Sequence, residues 1–310
     1  ATFSNSLNYT PNEGLTITRS AAMYGEASID LFKQVYVRGT GRMESASTYG
    51  PDAKQSYFYP SASVAWQFSE LSFIKDNLIK DASIFSFGKL RFAYGQAANQ
   101  PGAYQTKTYF GVAGPGNGWG EALRGTVYTG GGTTRSRTLG NPVLGPELTS
   151  ETEFGIDLRF LNDRISLSAT QYLNKTTDAL LDVTVAGSSG YTGRTANAAK
   201  IENKGTEFQL VAEWLRIEPF SWTTTVNWSQ NFNMVTDLSG VISVGLSGFV
   251  GSVSSAILNQ PVGVMYGTRW ARNADGTLKL DVNGFSFTDA TSGVLGDPNP
   301  IWRTGIINTL

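Results

Sequence analysis

Acidic side chains recur at even spacing in two stretches of the chain. Glu153 and Asp157, with Arg159, lie in TEFGIDLRF, and Glu207 and Glu213 lie in TEFQLVAEW. Two carboxylates flanking a sugar could act as acid and nucleophile in glycoside hydrolysis. On an extended chain, however, evenly spaced residues share one face. These groups therefore read as the lining of a hydrated wall, and no catalytic residue is assigned. Ser–His, Cys–His and His–zinc chemistries are excluded, because the chain contains neither His nor Cys. The glycine-rich run from Gly114 to Gly120 (GPGNGWG) fits neither a dinucleotide fingerprint nor a Walker A loop, so it reads as a surface loop. What remains is a set of loop aromatics: Tyr104, Tyr109, Trp119 and Tyr128 in one long segment and Tyr191 in the next. Exposed rings of this kind could stack on sugar faces or grip peptide side chains. Packing within the loops, or against a partner, is the plainer alternative.

The elements that would position these residues show an uninterrupted period of two. In LGPELTSETEFGIDLRFLNDRISLSATQY (144–172), Phe154, Ile156, Leu158 and Phe160 share one face against Glu153, Gly155, Asp157 and Arg159. After a turn at 161–164, Ile165, Leu167 and Ala169 oppose Ser166, Ser168 and Thr170. The pattern returns in FYPSASVAWQF, in TEFQLVAEW and over FSWTTTVNWSQNF. In the last of these Phe220, Trp222, Val226, Trp228 and Phe232 oppose Ser221, Thr223, Thr225, Asn227, Ser229 and Asn231. Period two means a strand with two different environments, and about 9–11 residues is what a tilted strand needs to cross a bilayer. Strands of soluble sandwiches average only about 5–6 residues. Tight connections at 161–164 and 215–219 contrast with long Gly-, Ser- and Asn-rich segments at 97–140, 182–204 and 235–260. Short turns at one end and long loops at the other are the arrangement of bacterial outer-membrane barrels. The stretch 69–86 falls on the short-turn side and is expected to hold the only helical turn or two. No clean strand is expected over 273–300.

Composition agrees with a barrel. Net charge is −1 and only 16% of residues are charged, so nucleic acid is not an expected partner. The 35 Gly, 17 Phe, 13 Tyr and 7 Trp suit strands, turns and interfacial aromatic girdles. Trp66, Trp214, Trp222 and Trp228, on apolar strand faces, are expected in those girdles. No run of about 18 apolar residues occurs, so no transmembrane helix is expected. Cofactors and metals are not expected either.

Several segments, taken in order, resemble SusC/RagA-like TonB-dependent receptors of Bacteroidetes outer membranes. They are YFYPSASVAWQFSE (57–70), KLRFAYGQAANQ (89–100), NPVLGPELTSETEFGIDLRFLNDRISLSATQYLNKTTDALL (141–181), VAGSSGYTGRTANAAKIENKGTEFQL (185–210), QPVGVMYGTRW (260–270) and GDPNPIWRTGIINTL (296–310). The resemblance implies an all-β fold, part of a large antiparallel transmembrane β-barrel of 22 strands, with about ten, roughly half, present here. It implies a single barrel segment over 1–310, with the plug and the N-terminal extension elsewhere in a longer chain. It also implies a location in the Gram-negative outer membrane, surrounded by outer-membrane lipid. Implied partners are a SusD-like lipoprotein over the mouth, a glycan or peptide substrate, and the TonB complex, reached through the N-terminal part. Many relatives carry an Asp-x-Asn-x-Asp-Gly stretch near Leu280; here Asp281-Val282-Asn283-Gly284-Phe285 puts Phe in place of an oxygen ligand, and calcium binding is not expected.

The function expected from these readings is active import of large nutrients, oligosaccharide or oligopeptide, without covalent chemistry. A structural subunit of a larger outer-membrane assembly is the alternative. A secreted all-β carbohydrate-active module is a weaker one.

Overall fold

The structure is a computed structural model that describes residues 15–79, 84–112, 133–249 and 252–310. Four strands come first: β1 (Ser20–Leu31), β2 (Val35–Ala46), β3 (Tyr57–Trp66) and β4 (Phe85–Asn99). After the short pair β5 (Phe110–Val112) and β6 (Thr133–Arg135) come four long strands. These are β7 (Glu147–Phe160), β8 (Ile165–Thr184), β9 (Gly193–Ile217) and β10 (Phe220–Asp237). A four-stranded excursion, β11 (Ser243–Phe249), β12 (Ser252–Ile257), β13 (Val264–Gly267) and β14 (Gly293–Gly296), precedes the last strand, β15 (Arg303–Thr309). Nine strands form one sheet in the order β1-β2-β3-β4-β7-β8-β9-β10-β15, and each neighbouring pair is antiparallel.

Register confirms the period-two reading. Arg91, Gly155, Thr170, Glu207, Ser229 and Arg303 fall on one transverse row. The adjacent row reads Leu90, Ile156, Ala169, Phe208, Trp228 and Thr304. Partners on one row share a face, so one surface of the sheet is polar and the other predominantly apolar. On β9 the apolar surface runs from Phe208 to Ile217, and above it come Thr206, Lys204 and Glu202. That length matches the roughly 9–11 residues a tilted strand needs in hydrocarbon. The rest of the 25-residue β9 projects beyond it.

Aromatic rings mark the edges of this band. Near the short turns Trp66, Phe68, Phe85 and Phe160 form a chain with ring centroids 6.1, 6.2 and 5.8 Å apart. Gly88 permits it, since a Cβ there would fall 2.2 Å from the Phe68 ring. Trp214 and Trp222 continue the belt at 6.5 Å. Trp228 sits apart from them, beside Phe208 and two residues below the same-face polar pair Gln230 and Thr206, at the opposite boundary. The expected girdle thus divides into two edges.

Connections at 32–34, 67–84, 161–164 and 218–219 lie at one end; those at 47–56, 100–146, 185–192 and 238–302 lie at the other. Helical turns occupy Phe68–Glu70, Ser72–Ile74 and Lys75–Ile79 as expected, but a further 3-10 turn stands at Gly187–Ser189. Three other expectations are corrected. Much of 182–204 is strand, because β8 and β9 stay paired to Thr184↔Gly193 beyond the membrane band. Within 235–260, β11 pairs with β12. The stretch 273–300 holds β14 and the bridges Arg272↔Leu278 and Leu280↔Ser286. The buried core is at the long-loop end: Ala179, Ala199, Val235, Leu238, Val244 and Ala256 pack together, with Leu181, Ile201 and Val262 against them.

Candidate functional site

The polar surface carries an organised charge cluster. Arg91 on β4 donates from Nε and Nη2 to the two carboxylate oxygens of Asp157 on β7, at 3.0 and 3.2 Å. Lys89 Nζ stands 3.0 Å from the same carboxylate, and Ser168 Oγ donates to it at 2.8 Å. Gly155 lies between them on β7, and a Cβ there would meet the Arg91 guanidinium at 2.8 Å. Two cations and a hydroxyl hold Asp157 as an acceptor, an arrangement for a rigid wetted wall. Further toward the loops Glu151, Glu153, Tyr172, Asn174, Asn203, Glu207 and Asn231 line an open depression of 360 Å³. Asn174 Nδ2 donates to Glu151 at 2.8 Å. The evenly spaced carboxylates therefore do line one surface. Among the described residues no group of three potential metal-ligating side chains occurs. Asp281 Oδ1 accepts the backbone N–H groups of Asn283 and Phe285, at 2.8 and 2.9 Å, so it closes its own turn.

At the long-loop end the structure brings Tyr104 and Tyr109 together, edge to face, with centroids 5.6 Å apart and planes at 81°. They line a cavity of 360 Å³ with Gln105, Lys107, Asp182, Arg194 and Thr195 among its other walls. Tyr191 is close in topology but does not line that cavity; the Arg135 guanidinium lies 4.2 Å from its ring centre. Trp119, Tyr128 and the Gly114–Gly120 run lie outside the described residues. Both loops are joined by backbone: Thr192 N donates to Arg137 O at 2.8 Å, and Leu139 N to Gly193 O at 2.9 Å.

Sequence reasoning missed Lys107, Asp182 and Arg194, and also the mechanical role of 141–146. This NPVLGP strap is tied on both sides. Asn141 Nδ2 donates to Thr195 O at 2.9 Å. Asn197 accepts from Gly145 N at 2.9 Å and donates to Gly145 O at 3.0 Å. From the other flank Gly50 N donates to Leu144 O at 2.8 Å, and Asp52 N to Pro142 O at 2.9 Å. Leu144 is fully buried. Two prolines and an asparagine around a buried leucine were the available signal, since Pro and Asn restrict a loop to few conformations.

A family described as TonB dependent receptor-like, beta-barrel matches residues 1–303. TonB-dependent receptor P26 of Formosa agariphila is 29% identical over 315 residues, covering 94% of this chain and 30% of that protein. TonB-dependent receptor SusC of Bacteroides thetaiotaomicron is 27% identical over 218 residues, covering 70% of this chain and 21% of that protein. The structure of the RagAB peptide transporter superposes with a TM-score of 0.73 at 19% identity, over 93% of this chain and 31% of that one; the likeness is one of fold. The chain thus spans about a third or less of the length of these relatives. Its two-faced sheet of membrane-length strands, the alternation of short turns and long loops, and the family match agree: the chain belongs to the TonB-dependent receptor-like β-barrel family and forms part of an outer-membrane barrel wall.

Proposed function

We propose that the whole receptor imports a large nutrient, an oligosaccharide or oligopeptide, across the outer membrane with energy delivered through TonB. A SusD-like lipoprotein would cap the long-loop end and hold the substrate against it. The observation that carries this reading is the continuity of the polar sheet face with an ordered, aromatic mouth. A solute caught near Tyr104, Tyr109 and Tyr191 would meet the wetted wall of Glu151, Glu153 and Glu207 on its way inward. Trp119 and Tyr128 belong to the same long loop and to the same proposal. The protein would bind and release solute, without making or breaking covalent bonds. The likeness of fold to the RagAB peptide transporter supports keeping the oligopeptide class beside the oligosaccharide one.

The test is purification of the intact native receptor in mild detergent, with mass spectrometry of everything that co-purifies, followed by uptake assays in cells with and without TonB. A single lipoprotein partner with bound glycan or peptide, and uptake that needs TonB, is the expected result. A receptor found only among assembly or secretion proteins, with no TonB-dependent uptake, would overturn it.

A further inference from the structure

The mouth cavity has a charge of its own. Tyr104 and Tyr109 supply two ring surfaces there, and both side chains are exposed. Lys107 and Arg194 flank the rings and are likewise exposed. The single acid of the lining, Asp182, already accepts a 2.6 Å hydrogen bond from Thr195 Oγ1. Arg194 makes no ion pair among the described residues. Two further cations, Arg135 and Arg137, are exposed on the adjoining segment. Cations thus predominate here, in a chain whose net charge is −1. The deeper wall, with Glu151, Glu153 and Glu207, has the opposite sign.

We propose that the cavity between Tyr104, Tyr109, Lys107 and Arg194 is a capture subsite for one ring of an anionic oligosaccharide, a sugar bearing carboxylate or sulfate. The inference rests on the import reading above and names its substrate class. A ring face packs on a tyrosine, since carbohydrate C–H surface and aromatic faces are complementary apolar surfaces. The anionic substituent meets Lys107 or the fork of Arg194, whose planar donors match two oxygens of a carboxylate or sulfate. Ser136, Thr138 and the Asp182 oxygen that accepts no hydrogen bond among the described residues remain for ring hydroxyls. A peptide is a poorer fit: the carbonyl and N–H groups along its backbone pair best with an open strand edge, whereas Thr138 is already bridged to Gly193 beside the cavity. The acidic wall beneath supplies the release step, because like charge opposes retention once the ligand leaves the cationic rim.

The experiment uses the intact receptor in detergent on an array of neutral, carboxylated and sulfated oligosaccharides together with acidic oligopeptides. The expected ligands are carboxylated or sulfated sugars, with affinity falling as salt rises. Arg194→Gln is expected to weaken the best of them about tenfold, Arg194→Lys to weaken it less, and Tyr104→Ala to weaken sugars of any charge. A correctly folded Arg194→Gln receptor that binds as well as wild type overturns the proposal. So does a preference for neutral sugars, for acidic peptides, or for none of the probes. TonB-dependent uptake is read separately in cells. If uptake persists while anionic sugars show no preference, only the subsite falls; if no solute at all is imported, the transport reading falls with it.

Discussion

Asp157 shows how a single wall residue can be read as catalytic from its type and structural from its surroundings. Its carboxylate is shared by Arg91, Lys89 and Ser168, with side-chain exposures of 24% for Asp157, 30% for Lys89 and 35% for Arg91. Exposure of that order lets water screen the pairs, so each contributes little alone. Removing the common acceptor, however, leaves two cations side by side. Asp157→Asn in the full receptor is expected to cost about 1 kcal/mol, read as a lower unfolding temperature in detergent, while Asp157→Glu restores part of it. A variant as stable as wild type would show that water already does the work of the carboxylate. The alternation that placed Asp157 on the polar face was plain in the sequence. Its cross-strand partner Lys89 was not, since a strand pattern gives the face of a residue but not which residue of the neighbouring strand stands opposite it.

At the scale of elements, the strap at 141–146 decides the shape of the mouth. Asn197 satisfies both polar backbone groups of Gly145 and also donates to Asp178 O at 2.9 Å. Gly50 is required opposite it, because a Cβ there would lie 2.0 Å from Pro142 O. Asn197→Ala is expected to speed amide exchange across 141–146 about tenfold or more, with little change in unfolding of the wall; each lost hydrogen bond is worth about 1 kcal/mol. Unchanged exchange would mean that burial of Leu144 alone holds the strap. The projecting hairpin near 269–289 is closed differently. Asp289 N donates to Arg269 O at 2.8 Å, and Arg269 Nε reaches the Asp289 carboxylate at 2.9 Å. The Thr291 N–H and then the Arg269 charge hold the Asp289 carboxyl below the usual carboxylate range. A lowered folded value favours the closed form above the ordinary carboxylate pKa of about 3.9, and that preference is lost as pH falls through the folded value. Protection in 269–289, taken as exchange relative to the intrinsic rate at each pH, is therefore expected to be high at neutral pH and to fall below about pH 4; protection that stays flat with pH would remove the clamp. These elements were poorly legible in the sequence. GRTANAAKIENKG, with its Gly, Ala and Asn, has the composition of a loop, yet it forms the outer half of β9 because β8 pairs with it, across two register shifts, as far as Thr184↔Gly193. The Ala, Val and Leu residues of the mouth core are scattered over five strands and a turn, so no local period announces them.

At the scale of the molecule, surface area distinguishes a wall from a globule. The chain exposes 21220 Å² for its 33.4 kDa, whereas a compact soluble protein of that mass exposes roughly 13,000 Å². A sheet that keeps two open faces, one polar and one apolar, exposes more than a closed globule does. β1 has only β2 as a ladder partner, and β15 has only β10, so the outer edge of each strand is unpaired among the described residues. An unpaired strand edge cannot be satisfied in hydrocarbon, where each bare N–H or C=O costs several kcal/mol, and in water it recruits other strands. The relatives are about three times longer, long enough to supply strands for both edges. Residues 1–310 expressed alone and refolded in detergent are therefore expected to give polydisperse oligomers without the shift in gel mobility on heating that closed barrels show. The full receptor, refolded in parallel, should give one heat-modifiable band. Addition of further barrel strands of the full receptor as a second polypeptide should give a single heat-modifiable band, because both edges then find partners. A monodisperse, heat-modifiable product from the 310 residues alone would mean that β1 and β15 close on each other, a smaller barrel than the register of these nine strands describes.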